Sequence, residues 1–476
     1  MSYRKGHKEQ HMMFPTAIED YVRKDDPVRA YEAFIEAIDF KNLGIELNEH
    51  KVGNSSYHPK AMMKLLVYGY SYGWRSSRKL ERAIHHNVSF MWLMDGLKPD
   101  HKTIAKFRSD NKKSLQKVLK QCAKICIALN LIEGNCLFLD GSKIRANASI
   151  NKTKSKTWLE KRDKVLEKRI EEILRESEEI DEKESGTLVS MDEELKDKQK
   201  LREKIDNLLK TMTAENQKKI NSTDSESTTV KGRQGSHAGY NAQIVVDEKH
   251  GLIVHSDVVS KNNDMGQFTN QIEQANGVLG KPCKTAYADA GYSKVSDLKD
   301  TVKEEIAVIV PSQNQAAHKT KEENLFSKDK FQYDKRQDQY ICPEGKALRY
   351  SHYSESKEQY LYRMKRSQDC LSCKHYGVCT SSKRGRSIIQ LKEEKTKEML
   401  EALYKTEAGQ VIYKKRKEKV ELPFGHIKKN LNGWAFLLRG KSGVKAEMAI
   451  NSTCFNIARM ITLLGGVCSM VEKITA

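Results

Sequence analysis

Proline is scarce in this 476-residue sequence, with 8 in all. Together with 38% hydrophobic and 31% charged residues, that scarcity excludes a collagen-like, mucin-like or wholly disordered chain and suits a soluble globular protein with long polar helices. Long hydrophobic runs are also missing. The N-terminal MSYRKGHKEQHMMF has no apolar core of a signal peptide, and the longest apolar stretch, near Met460 to Val471, is broken by Thr, Gly and Ser. Neither secretion nor a membrane span is expected, and the expected location is the cytoplasm. The 10 cysteines stand at irregular spacing, which fits reduced thiols in that compartment better than a disulfide framework. The length is too great for one hydrophobic core, so two or three domains are expected.

What the chain has in excess is positive charge, a formal +20. Residues 151–220 hold 18 basic and 18 acidic residues, so the excess lies elsewhere. A basic surface of that size favours a polyanionic partner, because each phosphate neutralised releases counterions; charge that only keeps the protein soluble is the other reading.

Residues 15–132 carry apolar positions at helical spacing, as in Ala61 to Tyr70, with short turns at Gly73 to Arg75 and at Pro99-Asp100. The pattern fits a helix-turn-helix-like DNA-binding module or an unliganded bundle equally well. Asp100 is placed to cap one long helix with the apolar face Ile104, Phe107, Leu115, Val118, Leu119, Cys122, Ile125, Cys126 and Leu129, where Cys122 and Cys126 read as core. At NCLFLDG, residues 135–141, a short apolar run ends in Asp140 and Gly141, which predicts a buried strand that stops in a turn. An antiparallel helical arm follows from about Trp158 to Met212, with Leu201, Ile205, Leu208 and Met212 on its apolar face and its hairpin near Ser185-Gly186. Residues 239–260 predict a hairpin, Met265 to Val278 a helix, and TAYADAGY at 285–292 a strand ending in Asp289. Residues 316–400 read as polar, cysteine-bearing and irregular. The last part has a basic run at 413–419, a turn-like Pro423-Phe424-Gly425 and an apolar helix at 444–464.

Strand ending in an acid, hairpin, helix, strand ending in an acid is the order of a ribonuclease H-like domain. Two carboxylates at such strand ends, with a third from a later segment, supply the oxygen ligands that two Mg²⁺ ions need for in-line displacement at phosphorus. Either strand acid taken alone reads as a turn residue. The third candidate is Glu421, which stands among seven basic residues between 413 and 429 with only Glu418 for acidic company.

PDHKTIAKFR, LDGSKIRANAS, GYNAQIVVD with HGLIV, ADAGY and VELPFGHIK together resemble the DDE transposases of bacterial insertion sequences, in the branch related to the Tn5-type enzymes, over nearly the whole length. The resemblance implies an α/β ribonuclease H-like catalytic domain over 133–465, an all-α N-terminal domain over 1–132, the helical-arm insertion over 151–230 and the cysteine-bearing insertion over 316–400. It implies Asp140, Asp289 and Glu421 as the catalytic triad, holding Mg²⁺ or Mn²⁺, at separations of 149 and 132 positions. Tyr413, Arg416, Glu421 and Lys428 match in kind the signature Tyr-x2-Arg-x3-Glu-x6-Lys, but four residues separate Arg416 from Glu421. Either Lys417 takes the arginine's place or the helix is locally irregular, and Pro423 and Gly425 predict an interruption before Lys428. Implied partners are double-stranded DNA, as terminal inverted repeats and target, and a second copy of the chain in a nucleoid-associated complex. A nuclease of the same fold that does not join, and a non-catalytic DNA-binding descendant, are the rival readings. Lys143, Arg145 and Asn147 follow Asp140 and are candidates to touch the DNA backbone, with ordinary surface charge as the alternative. Trp434, beside Phe436 and Leu437, reads as core, with stacking on a flipped base as its other reading.

Cys342, Cys370, Cys373 and Cys379 form Cys-x27-Cys-x2-Cys-x5-Cys, the pattern of a four-thiolate Zn²⁺ site in which His375 is a possible substitute ligand; four unligated thiols are the alternative. The transposase branch also has cysteine-bearing insertions. With few large apolar residues, the segment is expected to have little core of its own.

Overall fold

The computed structural model describes residues 17–47, 56–181, 188–214, 217–232, 235–317, 326–355 and 358–476. They fall into two compact units, one of Met1–Asp264, Glu273–Pro282 and Glu418–Ala476, the other of Met265–Ile272 and Cys283–Lys417.

Among the described residues, the first unit has eight α-helices before its sheet: α1 (Pro27–Ala37), α2 (Phe40–Leu43), α3 (Pro59–Ser71), α4 (Ser77–His86), α5 (Val88–Leu93), α6 (His101–Asp110), α7 (Lys112–Gln116) and α8 (Val118–Ala128). Asp100 caps α6 as expected, accepting from the Thr103 N–H at 2.8 Å. The single long helix expected after it is three helices instead. Asn111 ends α6 by donating its side-chain amide to the Phe107 carbonyl at 2.8 Å, and the short α7 then buries Ser114 and Leu115. Cys122 and Cys126 are core. Of these, α1, α3, α7 and α8 pack on α17 (Gly440–Leu463), which α18 (Val467–Thr475) follows. α17 is buried on every side from Ala446 to Ile457, the polar Glu447, Asn451, Ser452, Thr453 and Asn456 included. Its Asn456 amide exchanges two hydrogen bonds with the backbone of Ile253, at 2.9 and 2.8 Å.

The sheet of this unit consists of β1 (Cys136–Arg145), β4 (Thr228–Gly232), β5 (Gly235–Asp247) and β6 (Ile253–Val259). β5 pairs antiparallel with β1 on one edge and with β4 and then β6 on the other. The hairpin expected over 239–260 is β5–β6. β1 does not stop at Asp140-Gly141 as expected. It runs on to Arg145 in unbroken register with β5, from Leu137 opposite Asp247 to Arg145 opposite Gly239. The ladder offered by the 13-residue β5 outweighs the local turn preference of Asp-Gly.

Between β1 and β4 stands the expected arm. β2 (Thr153–Ser155) and β3 (Lys219–Asn221) pair at its base, and α9 (Lys156–Asp181) and α10 (Leu188–Ala214) form its legs. Arg169 to Glu194 (3.3 Å) and Arg202 to Asp163 and Glu167 (3.3 and 2.6 Å) show the legs to be antiparallel. Leu159, Leu166, Ile205 and Met212 form the seam, whereas Leu201, placed on the apolar face from its spacing, is 39% exposed. The hairpin tip at Ser185-Gly186 lies outside the described residues.

The helix α11 (Phe268–Leu279) leads from the first unit's chain into β7 (Thr285–Tyr287), α12 (Val295–Lys303) and β8 (Ala307–Ile309) of the second, where β7 and β8 are parallel. α13 (Gln313–Ala317) follows. The segment read as irregular is then a five-stranded antiparallel sheet of β9 (Gln332–Asp334), β10 (Gln339–Ile341), β11 (Ala347–Ser354), β12 (Gln359–Met364) and β13 (Ser387–Leu391), with α14 (Gln368–Leu371) before β13. Its core was also unexpected: Phe331, Tyr340, Leu348, Tyr362, Met364 and Ile388 are buried together. Asp338 accepts from the hydroxyls of Tyr333 and Tyr362, at 2.7 and 2.6 Å. α15 (Glu394–Lys405) leads to α16 (Glu407–Lys429).

α16 corrects the turn expected at Pro423 to Gly425, because the helix runs through it with Pro423 inside. A proline there forfeits one backbone hydrogen bond and costs about 3 kcal/mol. Val420, Phe424 and Ile427 are all buried on one flank, and burying three such side chains, at roughly 1.5–3 kcal/mol each, outweighs that cost.

Candidate active site and basic groove

Asp140 and Ser142 share one face of β1, because side chains alternate along a strand whose register is unbroken. Glu421 and Lys428, seven residues apart, share one face of α16. The two faces are tied where the Lys428 ammonium donates to Ser142 Oγ at 2.6 Å. A second tie lies nine residues back, where Lys419 Nζ donates to the Lys249 carbonyl at 3.4 Å in the β5–β6 turn. That turn adjoins Asp247, the partner of Leu137. The helix between the ties is about 14 Å long and the strand from Leu137 to Ser142 about 17 Å. The C-terminal part of α16 therefore runs alongside β1 in the same direction, with Glu421 on the stretch between the ties. Glu421 is exposed.

Beyond Asp140 the same strand enters a groove of about 1030 Å³. Lys143 and Arg145 of β1, Lys231 of β4, and Lys428 and Lys429 of α16 line it, and no carboxylate does among the described residues. Trp434, expected in the core, is 54% exposed at the groove. The Lys428 ammonium stands 5.6 Å from its ring centre, within cation–π range. Its neighbour Phe436 takes the buried place, held by backbone bonds that join Arg145 to Trp434 and Phe436 at 3.2 and 2.8 Å. Lys143 is partly neutralised by Asp264 at 3.4 Å, which also accepts from Asn241 and Gln243 at 2.7 and 2.9 Å. Asn147 points elsewhere, donating to the Leu437 carbonyl at 2.7 Å. Sequence reasoning missed Ser142, Lys231, His237 and Lys429; only the basic character of residues 231–237 signalled that hairpin.

In the second unit, Asp289 follows β7 and accepts from the Gly291 N–H at 2.8 Å, capping a single 3-10 turn. Tyr413 and Arg416, on the first half of α16, stand together, with the guanidinium 5.8 Å from the tyrosine ring centre. Burial pushes the Tyr413 hydroxyl above its usual range; Arg416 pulls it back, and Tyr404 and Asp289 raise it further. The tyrosine and Asp289 are thus within electrostatic reach of each other.

The four cysteines of this unit line one small cavity. Burial is the main cause that holds the Cys379 thiol above its usual range; Arg386 opposes it, and Cys370, Cys342 and Cys373 add to it. Among the described residues no three His, Cys, Asp or Glu side chains stand as a ready set of metal ligands.

The family model described as "Transposase domain (DUF772)" matches residues 16–110, and the one described as "Transposase DDE domain" matches residues 341–461. The two matches indicate a DDE transposase. The second spans Glu421, Lys428 and the four cysteines, while Asp140 and Asp289 precede it. No curated protein matches the chain. A solved structure, described as a cryo-EM structure of the piggyBac transposase synaptic complex with hairpin DNA, is similar at 8% identity and a TM-score of 0.33, over 95% of this chain and 79% of that one. A likeness that slight carries no argument.

Proposed function

We propose that the protein is an insertion-sequence transposase of the Tn5-related branch that cuts the ends of its element and joins the 3′-hydroxyls to target DNA. The observation that carries this reading is Asp140 on β1 and Glu421 on the helix laid along it, beside a groove lined by five cations and an exposed tryptophan. A ribonuclease H-like core is supported by the order of β1, β5, β6, α11, β7, α12 and β8, with the first three antiparallel and the last two strands parallel.

Asp140, Asp289 and Glu421 offer carboxylate oxygens, the donors that Mg²⁺ and Mn²⁺ prefer, and Glu421 is exposed. These three carboxylates would hold such ions, which would supply Lewis-acid activation of the attacking oxygen and charge stabilisation on the leaving one. The chain's own groups bind and orient. Lys428, Lys429, Lys231 and Arg145 hold backbone phosphates, the Ser142 bond aims the Lys428 ammonium, and Trp434 gives an unpaired base a face to stack on. Tyr413 and Arg416 supply donors near Asp289. A second copy completes the complex on paired ends.

The test is incubation of the purified protein with Mg²⁺ and DNA carrying the inverted repeats that flank its reading frame. Cut and joined products are expected. Cutting without joining would make it a nuclease, and binding alone a non-catalytic descendant.

Binding of such DNA is expected to weaken steeply with salt. Lys428→Ala and Arg145→Ala should each reduce the slope of log K against log salt by about one. Deleting residues 158–212 should leave the slope almost unchanged, since Arg169 and Arg202 of the arm are paired within it. A titration series from low to physiological salt measures both, and a slope that collapses without the arm would move the DNA surface there.

A further inference from the structure

Cys342 ends the strand path of β10 and begins the turn to β11, where Gly345 has φ +74°. Its backbone N–H donates to the Lys346 carbonyl at 2.9 Å, and the Lys346 N–H donates to its sulfur at 3.3 Å. Cys370 sits in α14 with Cys373 one turn on, the Cys373 N–H donating to the Cys370 carbonyl at 3.1 Å. The Arg386 N–H donates to Cys370 Sγ at 3.3 Å. Gly385, with φ +78°, lets that backbone approach: a Cβ there would stand 3.2 Å from the same sulfur. Cys379 is held by its N–H on the His375 carbonyl at 2.8 Å and by Arg386, which donates to the Cys379 carbonyl at 3.1 Å.

Four cysteines from two separate turns thus surround a cavity of about 30 Å³, the space of roughly one water molecule. A neutral thiol is a weak acceptor, whereas a thiolate gains from each N–H aimed at it. Two of the four sulfurs have such an N–H, and the Arg386 guanidinium anchors the turn of a third. His375 is otherwise engaged, with Nε2 3.1 Å from Glu344 and its ring 4.7 Å from that of Phe326.

We infer that Cys342, Cys370, Cys373 and Cys379 bind one Zn²⁺ as four thiolates, closing the β10–β11 turn onto the β12–β13 connection. The sulfurs do not yet form a ready ligand set, so binding draws them together, and each thiol that is protonated releases its proton to solvent. Four thiolates on one Zn²⁺ leave a net charge of −2, which Arg386 and Lys346 partly offset. Since the sheet has its own core, the metal orders the connection over 365–386 and is not needed to fold the strands. The inference is independent of the DNA reading.

The full chain, purified without chelator, is expected to carry about one zinc per chain by mass spectrometry. Exchange with Co²⁺ should give the thiolate-to-cobalt charge-transfer absorption and the visible bands of a tetrahedral site. Cys373→Ser and Cys342→Ser should each lower bound zinc at least tenfold, while His375→Ala keeps it. Chelation should speed amide exchange over 365–386 and leave β1, β5 and β6 protected. Wild-type protein with no zinc and no charge-transfer band on adding Co²⁺ would overturn the inference, whether or not the variants fold.

Discussion

Asp140→Asn, Asp289→Asn and Glu421→Gln are each expected to lower DNA cleavage by about a thousandfold or more, with binding to the same DNA largely kept. Each replacement preserves the shape of the side chain and removes the charge proposed to hold a divalent ion. Metal stabilisation of the transition state amounts to several kcal/mol, and about 1.4 kcal/mol is tenfold in rate. The fold should tolerate the changes. Glu421 is exposed, Asp140 is half-buried on a strand whose ladder is backbone, and Asp289 caps only a three-residue turn. Cleavage of end-labelled DNA, beside a thermal melt of each variant, measures both sides of the claim. A variant that cuts at near wild-type rate removes that residue from the triad.

Glu447→Ala is expected to destabilise the first unit by about 3–5 kcal/mol, the range for a buried ion pair that loses one partner. Glu447 is 0% exposed and Arg75 6%, and the guanidinium meets the carboxylate at 2.6 Å. The carboxylate also accepts from the N–H groups of Leu437 and Leu438, at 2.9 and 3.1 Å. The guanidinium donates to the carbonyls of Asn432 and Ala435, at 2.6 and 2.8 Å. Removing the acid therefore leaves a buried cation without its countercharge and two backbone donors without their acceptor. The same loop carries Trp434, so the variant should also weaken DNA binding at temperatures where it is still folded. Urea unfolding followed by circular dichroism gives the first quantity. Replacing both partners with apolar residues, Arg75→Met with Glu447→Leu, should recover part of the loss, because no charge is then left unpaired. A Glu447→Ala midpoint within error of wild type would show that the pair contributes nothing.

The candidate carboxylates were named from a few consecutive residues, in LDGSKIR, ADAGY and VELPFGHIK. The groove was not. Lys231 and His237 are some 190 residues from Lys428 along the chain, and only the β4–β5 hairpin and the end of α16 bring them to one place. The cysteine spacing suggested a metal. That two sulfurs receive backbone N–H groups, and that His375 is turned to Glu344, depends on how two turns meet.

By itself the sequence determined whatever depends on neighbours a few residues apart. The arm is one case, since Ile205 and Met212 recur at helical spacing among paired charges; the Asp100 cap and the β5–β6 hairpin are others. Tertiary structure decided every element whose local preference was overruled. β1 passes through Asp140-Gly141 because β5 supplies a hydrogen-bond partner at each step. α16 passes through Pro423 because Val420, Phe424 and Ile427 are buried beside it. β9 to β13 were misread as irregular because strands such as ALRYSHYS mix polar and aromatic residues on both faces, and their stability comes from cross-strand tyrosines. Phe436 took the core, edge-on to the buried Tyr240, and left Trp434 at the surface. Local patterns carry preferences of about a kcal/mol per residue, and packing of several buried side chains exceeds them.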